Sequence, residues 1–170
     1  MTPLPAALTD RPSPLTAWRI DRKVYAGSWD SGEGARIAGG RWNSKGRRVV
    51  YCALDPATSI LEVAVHRGLD ALDAVPHVLT GLLVPDAAAV RVIDSSDVPN
   101  ANWLRPGYPS AGQQAYGDEL LAQHGIIVIP SVVSTRSWNL VLDADVAAGR
   151  YALLLQEDFA LDPRLNPPPA

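Results

Sequence analysis

The sequence predicts a single α+β domain built on a mixed, largely antiparallel sheet. About seven short segments have the composition of strands, and only two have the length and end signals of clear helices. The helices do not alternate with the strands and no Gly-x-Gly-x-x-Gly motif follows a strand, so a doubly wound dinucleotide-binding sheet is not expected. With 170 residues, 47 % of them hydrophobic, the chain is long enough to bury one ordinary core.

The predicted strands are short and are spread along the chain. In the first, residues 15–20, Trp18 and Arg19 point to opposite faces because strand side chains alternate. The others are residues 48–54, 77–85, 88–93, 126–129, 138–142 and 151–156. Residues 130–134 continue the fifth of these seven strands after a break at Pro130.

The first predicted helix begins at Asp55-Pro56 and ends before Gly68. Asp is a favoured N-cap, Pro suits the first helical position, and Gly commonly follows the last turn. Its apolar side chains form one stripe of the kind that faces a core: Ala57, Ile60, Leu61, Ala64 and Val65. A second helix is predicted over residues 112–124, where Gly125 ends it.

The two ends of the chain are expected to flank the domain rather than belong to it. Residues 1–14 and 161–170 each contain four prolines, so the predicted domain spans residues 15–160. Residues 25–40 are rich in Gly, Ser and Asp and predict a loop with one helical turn near 33–37. Residues 100–110 are too rich in Pro and Gly to be regular.

Composition narrows the possible functions. The net charge of −3 and the pI of about 5.5 are a poor electrostatic footprint for direct nucleic-acid binding. The single cysteine, Cys52, allows neither a disulfide framework nor a Cys-rich zinc site. There is no signal-peptide pattern and no apolar run of membrane-spanning length, so we expect no membrane partner and a cytoplasmic location.

The stretch from Gly39 to Glu62 carries the most candidate chemistry. A Gly-Gly pair leads into Arg41, Trp42 and Asn43, and the strand that follows contains Tyr51. A guanidinium can bind an anion with two parallel hydrogen bonds, a tyrosine ring can stack on a planar group, and a carboxylate among apolar residues can stabilise positive charge. The alternatives are a surface arginine, a core tyrosine and a solvated glutamate.

Three further residues are weaker candidates. Arg19 is a second possible anion ligand, with a surface arginine as the alternative. Ser131 and Ser134, near the break at Pro130, could each hydrogen-bond a ligand amide, although Ser134 suits a turn better.

Histidine chemistry is not favoured. None of the three histidines, His66, His77 and His124, lies in a Gly-x-Ser-x-Gly or similar setting, which argues against a Ser/His/Asp hydrolase. Glu62 and His66 have helical spacing, but no further ligands cluster with them, so no metal is expected.

Five short motifs resemble those of a known family: Gly39-Gly40-Arg41-Trp42-Asn43, Val49-Val50-Tyr51, Leu61-Glu62, Ile129-Pro130-Ser131 and Asn139-Leu140. The family is the RES domain, toxins of bacterial toxin–antitoxin pairs usually encoded beside an Xre-like antitoxin. The most specific feature is the Tyr ten residues and the Glu twenty-one residues after the Arg. The resemblance extends from about Trp18 to Leu142.

The resemblance implies an ADP-ribosyltransferase-like fold with a split sheet. It implies NAD+ as a substrate whose nicotinamide–ribose bond is broken without a metal. The catalytic positions carried over are Glu62, Arg41 and Tyr51, and the NAD+-binding positions are Arg19, Arg41, Trp42, Asn43, Tyr51 and Ser131. One difference is that Glu62 is predicted on a helix, whereas the glutamate of the wider superfamily usually follows a strand.

The family also implies partners. ADP-ribose passes to a protein target or to water or phosphate, and the antitoxin occludes the NAD+ cleft. A different class of function, a non-catalytic module that binds a nucleotide or only its antitoxin, remains the alternative.

Overall fold

The computed structural model describes Leu4, residues 6–9 and residues 14–166. Its seven described strands are β1 (Leu15–Arg22), β2 (Val49–Ala53), β3 (His77–Val84), β4 (Arg91–Val92), β5 (Ile126–Pro130), β6 (Trp138–Asp143) and β7 (Ala152–Phe159). The α-helices are α1 (Ala6–Thr9), α2 (Glu33–Ala38), α3 (Pro56–Arg67), α4 (Asp70–Ala74) and α5 (Ala111–His124). No described helix combines the length and the hydrophobicity that a membrane crossing requires.

The strands form one sheet in the order β4-β5-β6-β2-β1-β3-β7. Only β4 and β5 are parallel, and every other neighbouring pair is antiparallel. The predicted α+β class with a mixed, largely antiparallel sheet is therefore confirmed. Strands β1 and β2 pair only at Trp18 and Ala53, so the sheet splits near its middle.

One face of the sheet carries a continuous core, and the other carries two separate apolar clusters. The continuous core includes Val50 and Cys52 of β2 and reaches Leu8 of α1. On the opposite face, one cluster forms under α5 and the other under α3 and α4. Asn139, Ala53 and Trp18 lie opposite one another on neighbouring strands, in a row between the two clusters. The face of the sheet that carries this row is called the cleft face below.

Helix α3 begins and ends where the sequence predicts, but its buried face differs. Asp55 accepts the Thr58 N–H at 2.8 Å, and Gly68 ends the helix at φ 80°. Leu61 and Val65, however, are 46 % and 64 % exposed, while Thr58 is buried. The predicted stripe therefore faces the core only in part, because Ile60 packs against the apolar cluster under α3 whereas Leu61 and Val65 face solvent. The Thr58 hydroxyl tolerates burial by donating to Asp55 at 2.7 Å.

Smaller differences lie at the margins of the sheet. Helix α4 was not predicted, and the strand predicted at 88–93 is a 3₁₀ turn at Ala87–Ala89 followed by the two-residue β4. The expected irregular lead-in contains α1, whose Leu8 is 3 % exposed in the core. In the predicted C-terminal flank, Pro163–Leu165 form a 3₁₀ turn. The remaining residues of the two predicted flanks, 1–3, 5, 10–13 and 167–170, lie outside the described residues.

Candidate active site

Arg41 lies on a turn that is fixed by its two neighbours. Trp42 is 2 % exposed and Asn43 is fully buried. The Tyr51 hydroxyl donates to Asn43 Oδ1 at 2.7 Å and accepts from the Trp42 backbone N–H at 3.0 Å. Gly40 is required because a Cβ at this position would collide with the Tyr51 hydroxyl. The turn therefore positions Arg41, and the side chains of Trp42 and Asn43 are not open to a ligand.

Helix α5 packs against the turn that carries Arg41. Gly117 lies so close to the Trp42 carbonyl that no side chain fits between the helix and the turn. Gln114 Nε2 donates to the Gly40 carbonyl at 2.9 Å, and the Asp118 carboxylate accepts the Ser44 N–H at 3.1 Å. These contacts hold the turn against helix α5 from Gly40 to Ser44.

The Arg41 guanidinium is only partly buried. Its Nη2 donates to the Gly107 carbonyl at 2.8 Å. Desolvation lowers the pKa of Arg41, and the nearby Glu62 and Tyr51 groups act in the opposite direction. An arginine with an ordinary pKa above 12 remains a cation at neutral pH in either case. Arg41 therefore places positive charge within electrostatic reach of Glu62.

Tyr51 lies on the cleft face of β2. Burial raises the pKa of Tyr51, while the hydrogen bond from the Trp42 N–H lowers it. The hydroxyl consequently stays protonated at neutral pH and is committed to the turn. The partly exposed ring is the part of this side chain that remains for a ligand.

The Glu62 carboxylate is held at one oxygen. Oε1 accepts from Ser131 Oγ at 2.9 Å and from Asn139 Nδ2 at 2.7 Å. Ser131 Oγ itself accepts the backbone N–H groups of Val133 and Ser134 at 3.2 and 3.1 Å, so its proton is directed to Glu62. Oε2 receives no hydrogen bond from the described residues and is the oxygen left for a ligand.

Asn139 is a site residue to which the sequence analysis gave no role. It lies opposite Ala53 across the β2–β6 pair, on the cleft face. Its Oδ1 is buried and has no hydrogen-bond partner within the described chain. The available signal was its place in the Asn139-Leu140 motif, as a polar residue between the apolar Trp138 and Leu140.

The two candidate serines have different surroundings. Ser131 is 3 % exposed and holds Glu62, whereas Ser134 Oγ lies 2.9 Å from Ser137 Oγ. The Ser131 hydroxyl therefore contacts the Glu62 carboxylate. Ser134 belongs to the loop that leads to β6.

The Arg19 side chain lies on the opposite face of the sheet from the other candidate side chains. It lies on the face of β1 opposite Trp18 and makes two hydrogen bonds to Asp21 at 2.5 and 2.7 Å. Its Nη1 donates to the Tyr51 carbonyl at 3.0 Å, beside the point where β1 and β2 diverge. The guanidinium thus bridges the split in the sheet.

The histidines do not contribute to this cleft chemistry. His66 is exposed, and His77 is buried with Nδ1 2.7 Å from the Val75 carbonyl. Within the described ranges, no group of three His, Cys, Asp or Glu side chains is placed to hold a metal ion.

Residues 16–162 match the RES domain family. Because that match covers most of the 170 residues, the chain belongs to the RES domain family.

Two curated relatives and one solved structure show how close this likeness is. "Toxin Res" of Photorhabdus laumondii is 32 % identical over 155 residues, covering 89 % of this chain and 97 % of the relative. "Prs ADP-ribosylating toxin" of a Sphingobium species is 31 % identical over 134 residues, covering 74 % and 80 %. The crystal structure of the M. tuberculosis MbcT–MbcA toxin–antitoxin complex has a similar fold. Its TM-score is 0.70 at 22 % identity, with 86 % of this chain and 85 % of that chain covered.

Proposed function

We propose that this protein is the toxin of a toxin–antitoxin pair and that it cleaves the nicotinamide–ribose bond of NAD+. Membership of the RES family and the names of its relatives support this proposal. The observation that carries the chemistry is the Glu62 carboxylate, anchored at Oε1 and open at Oε2. We assign the activity to residues 15–160 and to the cytoplasm.

The carboxylate suits a reaction that develops positive charge on ribose. When the C1′–N bond breaks, its electron pair leaves with nicotinamide, and the ADP-ribosyl group becomes oxocarbenium-like. A carboxylate about 4 Å from that charge stabilises it by on the order of 4 kcal/mol at an effective dielectric near 20. That corresponds to roughly three decades of rate. Glu62 Oε2 is the oxygen assigned to this role.

The other site residues either bind NAD+ or hold the residues that do. Arg41 binds the pyrophosphate, whose oxygens compete with the Gly107 carbonyl for the guanidinium. The Tyr51 ring packs on nicotinamide. Trp42 and Asn43 hold the turn, and Ser131 and Asn139 hold Glu62. Arg19, expected to contact NAD+, acts instead through the Tyr51 backbone.

The acceptor of ADP-ribose defines two variants of the proposal. Transfer to a protein target inactivates that protein, whereas transfer to water or phosphate depletes NAD+. Incubating the purified protein with NAD+ and measuring free nicotinamide separates an enzyme from a non-catalytic binding module. Cell lysate with NAD+ labelled in its ADP-ribose part separates the two variants, because protein-bound label indicates transfer to a protein, whereas soluble ADP-ribose or ADP-ribose phosphate indicates transfer to water or phosphate.

The proposed partner is an Xre-like antitoxin that occludes the NAD+ cleft. The neighbouring solved structure is itself a toxin–antitoxin complex, which supports the existence of a partner. Co-expression with the antitoxin encoded beside the toxin gene is expected to restore growth and suppress nicotinamide release. A neutralised complex that still binds NAD+ with unchanged affinity would contradict occlusion.

Replacing Arg41 tests the proposed anion contact. Arg41→Ala removes the cation beside the cleft, so we expect weaker NAD+ binding by about tenfold or more and loss of toxicity. Binding is measured by calorimetry and toxicity by growth at equal expression. Lys45→Ala, an exposed cation of the same loop, is the matched control. Wild-type toxicity of the Arg41 variant would rule out the pyrophosphate contact.

A further inference from the structure

A cavity of about 270 Å³ lies beside Arg41 and is lined mainly by the segment 100–110. Besides Arg41, its lining includes Asn102, Trp103, Arg105 and Tyr108. Neither Glu62 nor Tyr51 lines it, and Arg41, which interacts electrostatically with Glu62, is the candidate-site residue that lines the cavity. Ligand pockets usually measure roughly 300–1,000 Å³, and the cavity therefore fits part of a dinucleotide rather than all of it.

The charges that line this cavity favour an anion. Two guanidinium groups, those of Arg41 and Arg105, contribute to its wall, and no carboxylate does. Arginines stay protonated and match phosphate oxygens with planar, paired donors. A diphosphate carries the charge and the number of acceptors that two such groups can satisfy.

The aromatic residues of the cavity favour a planar ring. Trp103 is fixed, since its ring centroid lies 5.7 Å from that of Tyr116, which in turn lies 6.5 Å from that of Trp42. Tyr108, between Gly107 and Pro109, is fully exposed at 103 % of its reference area. A purine can stack on such rings whatever its hydrogen-bonding edge, because every base has a π face.

We propose that this cavity binds the adenosine diphosphate part of the dinucleotide. Arg41 and Arg105 bind the pyrophosphate, and Trp103 and Tyr108 contact the adenine ring. The inference rests on the proposed function, because the nicotinamide ribose then lies on the other side of Arg41, at Glu62. It adds Arg105, Trp103 and Tyr108 to the binding site.

The direct test is the affinity of the purified protein for ADP, measured by calorimetry. Arg105→Ala and Tyr108→Ala should each raise the dissociation constant of ADP about five- to a hundredfold, the range expected for one phosphate contact or one stacked base. Arg164→Ala and Tyr25→Ala change exposed residues that do not line the cavity and should leave ADP binding unchanged. Unchanged ADP affinity in both cavity variants, or a wild-type protein that does not bind ADP, overturns the assignment.

Nicotinamide release provides a second test that separates this inference from the proposed function. With NAD+, the cavity variants should raise KM about five- to a hundredfold at similar kcat. Nicotinamide mononucleotide lacks the adenosine and one of the two phosphates but keeps the other, so with this substrate Tyr108→Ala, which changes only the adenine contact, should match the wild type. An equal loss by Tyr108→Ala on both substrates overturns the inference. A wild-type protein that releases no nicotinamide refutes the proposed function, and the ADP measurement then decides the cavity alone.

Discussion

Glu62 has one oxygen bound by the protein and one oxygen open, so its charge and its position can be tested separately. In Glu62→Gln, the amide oxygen can still accept from Ser131 and Asn139, while an N–H₂ group replaces the open oxygen. We expect NAD+ affinity to change less than about threefold and turnover to fall by about 10²–10⁴. Nicotinamide release under saturating NAD+ measures this effect. Undiminished release by the Gln variant would falsify the catalytic assignment.

Substitutions of Ser131 and Ser134 test whether the hydrogen bond from Ser131 to Glu62 contributes to turnover. Ser131→Ala removes one of the two donors to Oε1, so we expect kcat to fall roughly tenfold with KM nearly constant. It also leaves two backbone N–H groups without their acceptor, so the free energy of unfolding should fall by about 1–3 kcal/mol. Ser134→Ala is the matched control, because its hydroxyl meets Ser137 and not Glu62. Equal kinetics for the two variants would show that the Ser131 contact has no part in turnover.

The spacing of Arg41, Tyr51 and Glu62 was visible in the sequence because all three lie within twenty-two residues. The sequence did not show which residues would hydrogen-bond to Glu62. Ser131 and Asn139 reach it from 69 and 77 residues further along the chain, and only the pairing of β6 with β2 and β5 brings them together. The burial of Trp42 and Asn43 also depends on a tertiary contact, the approach of α5 to the turn.

At the scale of elements, the contact between α5 and the Arg41 turn depends on Gly117. In Gly117→Ala the new methyl group would overlap the Trp42 backbone, so we expect a loss of about 1–3 kcal/mol in unfolding free energy, together with reduced NAD+ binding. Urea unfolding measures the stability. Gly112→Ala in the same helix is the control, since its Cβ would meet Trp103 at an ordinary 3.5 Å and Ala favours a helix by about 1 kcal/mol. A Gly117 variant as stable as the Gly112 variant would contradict this packing.

Helix α3 shows which parts of an element local sequence can determine. Its ends follow from Asp55-Pro56 and Gly68, which are local signals, and both were predicted correctly. Its orientation depends on what lies beneath it. Glu62 faces the sheet, where Ser131 and Asn139 bind it, and Leu61 and Val65 face outward although they are apolar. The hydrophobic stripe alone therefore predicted only part of the buried face, since Ile60 packs inward and its neighbour Leu61 does not.

At the scale of the whole molecule, the fold class could be predicted and the strand order could not. Apolar segments of strand length appear in the sequence, but nothing local indicates that β1 lies between β2 and β3 or that β7 ends the sheet. Short elements such as β4 and α4 also depend mainly on tertiary contacts, because two to five residues carry too little periodicity.

Buried acids make the folded state sensitive to alkali. Burial raises the pKa of the Cys52 thiol to about 12 and also raises the pKa of Tyr51. In the unfolded chain these groups lose their protons at ordinary values of about 8.5 and 10, so their contribution to stability is complete below those values and is lost as pH rises toward 12. We expect the free energy of unfolding to fall across this window, by at most about 1.4 kcal/mol per pH unit for each group.

Urea unfolding at several pH values between 8 and 11 measures that slope, and Cys52→Ala should make it shallower above about pH 9. The variant's melting temperature at pH 7 serves as the check that it still folds. A slope that is the same with and without the thiol would mean that Cys52 does not contribute.

Cys52 also allows local opening of the native sheet to be measured. Cys52 is the only sulfhydryl in the chain, lies in β2 between Tyr51 and Ala53, and is 5 % exposed. A labelling reagent can react with it only when that part of the sheet opens, so the labelling rate measures the opening of the strand that carries the candidate site. Any ligand that binds only the closed form must slow the labelling in proportion to its occupancy. Candidate nucleotides can therefore be ranked on the wild-type protein by how much each one slows the labelling, without any need for turnover.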